Sequence, residues 1–279
     1  TKSYYCGNLS MSNNLQGIFW ALIATALFAI VLTMAKIAVV DFHVLQILFI
    51  RQMMVFASTM PVLIKSFPQS LKTARPKVHA ARLAGAFVAL STGIWAVAIL
   101  PLTTAITLAF TQVFFVAIIA SKFLGERVGV HRITAVVVGF IGVIIVMRPG
   151  FNGILATNAL VPLAGALGAA IAVTCVRTLS QTESTATLLG YQSIAVGLLS
   201  GIPLIWLWVT PTIPEFMLLL GIGALATIAQ WVGVKALRLG EVSLVGNIEY
   251  TKIIYAAILG YVVFAEVPDL PTIIGAAII

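Results

Sequence analysis

Residues 111–119 read TQVFFVAII, and residues 251–259, 140 positions further on, read TKIIYAAIL. Each stretch begins with threonine and continues as an apolar run, and the same offset aligns Glu126 with Glu266. This alignment indicates two copies of one unit. Five membrane crossings fit into each copy, and because five is odd, the second copy enters the membrane upside down. Inverted repeats are typical of secondary transporters, whose binding site lies between the halves near the midplane.

Composition places both copies in a lipid bilayer. Of the 279 residues, 61% are hydrophobic and only 9% are charged, whereas a soluble domain carries roughly 25% charged residues. Mean hydropathy is +1.12. A globule of this size cannot hide so much apolar surface, so the surrounding solvent must be lipid. These values exclude a disordered chain, a nucleic-acid-binding domain and a typical water-soluble enzyme.

Apolar runs of membrane-spanning length recur along the chain, since about 20 apolar residues cross a bilayer. The runs are continuous, which favours helices over barrel strands. We predict an all-α integral membrane protein with ten transmembrane helices in two inverted five-helix repeats, residues 11–150 and 151–279. Residues 1–10 are interpreted as a non-native or upstream leader, and the last helix as cut short at Ile279. The predicted helices lie near 15–38, 43–64, 80–99, 101–122, 132–147, 159–178, 186–209, 215–236, 242–263 and 269–279.

The distribution of basic residues predicts a cytoplasmic N-terminus. With that orientation, the inner loops and adjoining helix ends hold eleven of the 16 Lys and Arg residues, and Lys2 makes twelve. The outer loops hold only Arg148, and such a bias marks the cytoplasmic side. The net charge of +8 therefore reflects topology rather than nucleic-acid binding. The eleven inner residues are Lys65, Lys72, Arg75, Lys77, Arg82, Lys122, Arg127, Arg132, Arg177, Lys235 and Arg238.

Ionisable residues within the apolar runs are functional candidates, because charges are expensive inside a membrane. Glu249 and Lys252 are three apart on one face of predicted helix nine, so they can pair. The pair could serve a substrate or a proton at a central cavity, or it could be structural. Arg51 could bind a substrate carboxylate or pair with Glu249, although snorkelling or structural pairing is the favoured interpretation. Lys36 is expected to snorkel to the outer interface.

Uncharged polar and aromatic residues form a second candidate set. Thr104, Thr107 and Thr111 share one face of predicted helix four, where they could line a cavity or join helices. Trp95 lies near a helix end, where an interfacial position is the usual explanation. The predicted substrate-binding residues are Trp95, Thr104, Thr107, Thr111, Gln112, Gln230, Trp231, Glu249 and Tyr250, and the coupling or charge-pair residues are Glu249, Lys252 and Arg51. Neither the three histidines (His43, His79, His131) nor the two cysteines (Cys6, Cys175) have metal-ligand spacing.

Several motifs resemble the EamA family of the drug/metabolite transporter superfamily. They are the stretch 100–150 with FLGER at 123–127 and VGFIGV at 138–143, and the stretch from EYT at 249–251 to FAEVP at 264–268. The likeness covers essentially everything after Met11 and departs at Val113, where many relatives have proline. It implies a transporter for small metabolites, often exported amino acids, in a bacterial inner membrane. It also implies a cavity lined by helices one, three, four, six, eight and nine, with no shared enzymatic activity and no cofactor.

The predicted function is secondary active transport by alternating access, with a small-molecule substrate and the lipid bilayer as partners. Export of amino acids or related amphipathic compounds is the first candidate, and import of a cofactor-like solute such as S-adenosylmethionine or riboflavin is the alternative. The sequence contains no P-loop, so energy would come from a gradient or from exchange. A membrane-embedded enzyme would need a catalytic constellation, and a channel would need a polar stripe or filter. Neither pattern is evident.

Overall fold

A computed structural model of the chain describes residues 3–65, 73, 75–124, 130–147, 153–179, 182–239 and 248–278. Within these ranges the regular secondary structure is entirely helical. The helices are α1 (Ser3–Ala38), α2 (Val44–Lys65), α3 (Pro76–Ile99), α4 (Leu102–Ala109), α5 (Gln112–Leu124), α6 (Val130–Met147), α7 (Gly153–Leu179), α8 (Thr185–Gly201), the single turn α9 (Leu204–Leu207), α10 (Ile213–Leu239), α11 (Thr251–Phe264) and α12 (Leu270–Ile278).

Five stretches in the described residues are long and apolar enough to cross a membrane: Leu15–Ala38, Val44–Lys65, Pro76–Ile99, Thr157–Val176 and Ile213–Gly233. Three shorter apolar helices accompany them. Large apolar side chains such as Ile205, Ile213 and Val262 are exposed over much of the surface. Exposed apolar area on this scale suits contact with lipid chains, so the fold is that of an integral membrane protein.

Two predicted spans are interrupted in the structure. The span predicted over 101–122 divides into α4 and α5 at a turn formed by Phe110 and Thr111. The span predicted over 186–209 ends at Gly201, because Pro203 follows two residues later and lacks the N–H that a continuing helix requires. Continuous apolar sequence therefore did not produce continuous helix at either place.

Other helix boundaries also differ from the predicted ones. The first ten residues, which the prediction separated as a leader, are helical from Ser3 onward. Helix α3 begins at Pro76, because proline is well tolerated in the first turn. Residues 240–247, the start of predicted helix nine, lie outside the described residues. The described part of that span contains a turn at Glu249 and Tyr250, followed by α11.

Packing joins the first half of the chain to the second almost helix by helix. Helix α3 packs along α7 as α1 packs along α10, and α5 contacts α7 as α1 contacts α11. Two further contacts join helices at equivalent places in the two halves, namely α2 with α8 and α6 with α12, and α4 also contacts α11. The principal contacts between helices thus stay the same when each helix is replaced by its counterpart in the other half.

The crossing of α3 and α7 depends on glycine. A Cβ atom added to Gly85 would lie 2.6 Å from the Gly168 carbonyl oxygen, and one added to Gly168 would lie 2.7 Å from the Gly85 carbonyl oxygen. Both distances are too short for any side chain, so the two backbones touch directly. Small residues permit such close helix approach in membrane proteins.

Candidate functional site

The helix interruption at Phe110–Thr111 meets the one at Glu249–Tyr250 inside the molecule. Phe110 ends α4 and Tyr250 precedes α11, and their rings stack with centroids 4.9 Å apart and an interplanar angle of 15°. The two positions are related by the same offset of 140 residues that relates the repeated stretches of sequence. Their backbone angles also agree, with φ and ψ of −64° and −16° at Phe110 and of −62° and −21° at Tyr250.

A threonine hydroxyl bonds the backbone in the same way at both interruptions. The Thr111 hydroxyl donates to the Leu108 carbonyl at 2.5 Å, and the Thr251 hydroxyl donates to the Ile248 carbonyl at 2.7 Å. Each hydroxyl bonds the carbonyl three residues earlier and so competes with the backbone for it. The backbone responds with tighter bonds between residues three apart, from the Val113 N–H to Phe110 and from the Ile253 N–H to Tyr250.

Charged and polar side chains surround the second interruption. Glu249 and Lys252 form the predicted ion pair, and the Lys252 Nζ atom lies 5.1 Å from the centre of the Phe28 ring on α1. The Thr251 hydroxyl also contacts the Thr25 hydroxyl of α1 at 3.2 Å. The Glu249 side chain is 44% exposed and the Lys252 side chain 20% exposed. The carboxylate is therefore the more accessible partner of the pair.

A cavity of about 120 Å³ lies between α1, α3, α4, α5 and α7. Its walls are apolar except at Gln112, the first residue of α5, and include Leu32 and Pro162. Pockets that hold small-molecule ligands usually measure roughly 300–1,000 Å³. The helices are thus closed around a space too small for a metabolite, and binding there requires them to separate.

The predicted polar face of helix four is divided by the interruption. Thr111 lies in the turn, and Gln112 lines the cavity. The Thr104 hydroxyl contacts the Thr272 hydroxyl of α12 at 3.3 Å, which joins two helices. Thr107 is fully buried, and its hydroxyl has no hydrogen-bond partner among the described residues. Of these four residues, Gln112 lines the cavity and Thr104 joins α4 to α12.

The remaining predicted residues lie apart from the interruptions. Trp95 is 50% exposed and lines a groove of about 590 Å³ together with His43, Ser91 and Thr92, near the α1–α2 connection. Trp231 on α10 is partly exposed, and its Nε1 atom donates to the Ser58 hydroxyl at 3.4 Å. Gln230 has a buried side-chain oxygen without a partner in the described part of the chain. No described contact joins these three residues to Glu249.

The predictions for the remaining membrane charges need correction. Lys36 does not snorkel: its ammonium group pairs with Glu266 and donates to the Leu100 carbonyl at 2.9 Å. Glu266 lies in the α11–α12 connection, which brings its carboxylate to the end of α1. Arg51 is 6% exposed, and no described side chain forms an ion pair with it, so the alternative pairing with Glu249 is not made.

A buried polar cluster at the start of α3 was not predicted. The His79 Nε2 atom lies 2.5 Å from a Glu183 oxygen, and the Thr73 hydroxyl donates to the other Glu183 oxygen at 2.6 Å. Arg82 donates to the Leu188 carbonyl and to Gln192 on α8. These bonds join the two halves of the chain, and the only sequence signal for them is polarity at predicted helix ends. The described residues contain no group of His, Cys, Asp and Glu arranged to hold a metal ion.

The sequence also did not single out Phe110, Phe28 or Thr25 as site residues. Phe110 could have been found, because it directly precedes Thr111 just as Tyr250 precedes Thr251 in the aligned repeat. Phe28 and Thr25 belong to an apolar run in which nothing marks them. Only packing of α1 against α11 brings them to the ion pair.

An all-helical fold with apolar outer surfaces and paired helix interruptions defines a membrane protein of the transporter class. The sequence matches the EamA-like transporter family over residues 15–148 and 157–279, and the chain belongs to that family.

Curated relatives cover most of the chain. It is 27% identical to an S-adenosylmethionine uptake transporter of Rickettsia prowazekii, over 98% of this chain and 92% of the relative. It is 30% identical to a riboflavin transporter of Vibrio cholerae, over 95% of this chain and 90% of the relative. It is 34% identical to a pseudopaline exporter of Pseudomonas aeruginosa, over 66% of each chain. These relatives support transport of a small molecule.

A solved crystal structure superimposes on this fold with a TM-score of 0.67 and 18% sequence identity. The superposition covers 96% of this chain and 93% of the other. At this identity the likeness concerns the fold alone.

Proposed function

We propose that this protein is a secondary transporter that moves a small metabolite by alternating access. Its two halves, residues 11–150 and 151–279, form inverted five-helix repeats, with the N-terminus in the cytoplasm of a bacterial cell and the chain in the inner membrane. The paired interruptions at Phe110–Thr111 and Glu249–Tyr250 carry the proposal. Interrupted helices at corresponding positions of two halves are the usual place for a transporter's binding site.

Three observations support the inverted repeat. The threonine-centred turns recur at an offset of 140 residues, the contacts between halves are preserved when the halves are exchanged, and the family match falls into two ranges. A site between two such halves can face either side of the membrane when they tilt. Direct use of ATP by this chain is not part of the proposal, because no P-loop is present.

The proposed binding site combines both interruptions and the polar groups beside them. Glu249 and Lys252 offer one charge of each sign, the Phe110–Tyr250 stack offers aromatic faces, and Gln112 offers an amide at the cavity. Such groups suit an amphipathic metabolite with charged and planar parts. Amino acids and related compounds are the first candidates, exported from the cell, and import of a cofactor-like solute is the alternative. Thr104, Thr107, Gln230, Trp231, Trp95 and Arg51 remain secondary candidates.

Counterflow in proteoliposomes tests the proposed function. Vesicles containing the full chain are preloaded with single neutral, aromatic or cationic amino acids, riboflavin or S-adenosylmethionine, and uptake of the labelled solute is followed. Saturable exchange of one group is expected and identifies the substrate class. Exchange confined to riboflavin or S-adenosylmethionine would favour the alternative. Absence of all exchange, with a working control carrier in the same vesicles, would contradict the transporter proposal.

The role of Glu249 is tested separately with Glu249→Gln. If Glu249 couples transport to protons without binding the substrate, this variant loses accumulation driven by a pH gradient but retains exchange of substrate at equal pH; if Glu249 binds a substrate cation, exchange is lost as well. Glu215→Gln is the matched control, since Glu215 lies at the start of α10, where its carboxylate accepts from the Thr212 N–H. Accumulation equal to that of the unmodified protein would remove Glu249 from the coupling role.

A further inference from the structure

The Glu249–Lys252 pair differs from the other acid–base pairs in the described residues by lying within one helical turn. Lys36 pairs with Glu266 and His79 with Glu183, and each of these pairs joins distant parts of the chain. A pair within one turn contributes only about 0.2–0.5 kcal/mol to an isolated helix and holds no two helices together. The Glu249–Lys252 bond therefore contributes little to the packing of the helices, although both charges lie within a predicted membrane span.

The Lys252 ammonium group occupies a place suited to a cation. Glu249 supplies a carboxylate, and the Phe28 ring centre lies 5.1 Å from Nζ. A carboxylate beside an aromatic face is the combination that binds organic ammonium groups, through charge attraction and the negative face of the ring. In this structure the cation is a side chain of the protein itself.

The carboxylate remains open to a competitor. The Glu249 side chain is 44% exposed, more than twice the 20% of Lys252. Lysine carries its charge on a flexible four-carbon stem, so the ammonium group can move away without displacement of the helix. The Phe110–Tyr250 stack lies beside the same turn and offers a flat surface to a planar group.

We infer that Lys252 is a resident counter-ion of Glu249, which the cationic group of the transported substrate displaces. The inference rests on the proposed function. It narrows the substrate class to organic cations that carry a planar group, either amines or sulfonium compounds. In the empty carrier, Lys252 neutralises Glu249 and so avoids the cost of an unpaired charge within the membrane. In the loaded carrier, the substrate takes over that neutralisation.

Binding to the purified full chain tests the inference with Lys252→Met. The probes are phenylalanine amide, which is a cation, and N-acetylphenylalanine amide, which is neutral and carries the same ring. Because the competing ammonium group is removed, affinity for phenylalanine amide is expected to rise about tenfold over the unmodified protein. Affinity for the neutral probe should stay unchanged. Glu249→Gln should abolish binding of the cation.

Lys36→Met is the matched control, because Lys36 also pairs with a glutamate and also lies 5.1 Å from a phenylalanine ring, that of Phe264. Its pair joins separate segments, so this variant should lose thermal stability without gaining affinity for the cation. Lys252→Arg keeps the charge and should bind as the unmodified protein does, which separates loss of charge from misfolding of Lys252→Met.

Unchanged or weaker binding of phenylalanine amide to folded Lys252→Met would overturn the inference. An equal gain in Lys36→Met would overturn it as well, because the effect would not be specific to Glu249. The proposed function has its own readout: counterflow of any solute in the panel upholds the transporter even where the cation experiment fails.

Discussion

At the residue scale, the same threonine hydrogen bond recurs at both helix interruptions of the candidate site. Thr111 and Thr251 bond carbonyl groups three residues earlier, and the chain turns at both places. Thr33 is also buried in an apolar helix, yet its hydroxyl bonds the Ala29 carbonyl four residues earlier at 2.9 Å, and α1 continues. Ser58 and Ser193 also bond carbonyl groups three residues earlier, and α2 and α8 continue through them, so this hydrogen bond accompanies the interruptions but does not by itself cause them.

Replacing Thr251 by valine should impair transport more than it impairs folding. Valine keeps the shape but loses the bonds to Ile248 and Thr25, and one hydrogen bond contributes about 1 kcal/mol. We expect a several-fold lower counterflow rate and a small decrease in melting temperature. Thr33→Val is the control and should transport normally; equal loss of activity in both variants would contradict a special role for Thr251.

The aromatic stack gives a second prediction at this scale. Tyr250→Phe keeps the ring against Phe110, whereas Tyr250→Leu removes a stacked pair that contributes about 0.5–1.5 kcal/mol. Tyr250→Phe should therefore retain most counterflow activity, and Tyr250→Leu should lose most of it. If Tyr250→Phe is as inactive as Tyr250→Leu, the hydroxyl group rather than the stack is what matters.

At the element scale, the crossing of α3 and α7 depends on direct contact between backbones. Gly85 and Gly168 leave no room for Cβ atoms, whereas a Cβ atom on Gly93 of the same helix α3 would meet nothing within 4 Å. Gly93 lines the cavity between the helices. Glycine therefore serves close packing at one level of α3 and leaves open space about two turns further along.

Alanine should destabilise the protein at Gly168 but not at Gly93. Gly168→Ala must separate α3 from α7, so its melting temperature should fall clearly. Gly93→Ala enters open space, and alanine favours the helix by up to about 1 kcal/mol in water, so its melting temperature should be unchanged or higher. Thermal unfolding of both variants in the same detergent measures the difference. Equal destabilisation would show that the cavity at Gly93 does not persist.

At the scale of the whole molecule, polar bonds join the halves at two separate places. One group links Lys36 to Glu266, and Glu266 also accepts from the Leu102 N–H at 2.8 Å. The other group links His79 and Arg82 to the segment around Glu183. In the proposed orientation the first lies at the outer end of the helices and the second at the cytoplasmic end. Both are formed in this structure, whose cavity is too small for a metabolite.

Breaking one group at a time should open the molecule toward one side. A cysteine at Gly93 reports on the cavity, in a protein whose Cys6 and Cys175 are replaced by serine. Glu266→Gln should raise its labelling by an impermeant maleimide added outside, and Glu183→Gln should raise labelling from the cytoplasmic side. Identical labelling profiles in the two variants would contradict two separate connections. The reverse sidedness would overturn the proposed orientation.

The sequence alone determined the membrane environment and the helical class, because apolar content and the length of apolar runs follow directly from the bilayer. Its motifs also indicated the family. It also identified the Glu249–Lys252 pair, since a spacing of three on one helix brings two side chains together whatever the rest of the fold does. The structure decided where apolar runs break, because hydropathy does not distinguish a continuous helix from an interrupted one. It also decided that Lys36 pairs with Glu266, that Phe28 lies over Lys252 and that Trp95 lies apart from the interruptions. These contacts join residues far apart in the chain, and only the packing of one half against the other determines which of them meet.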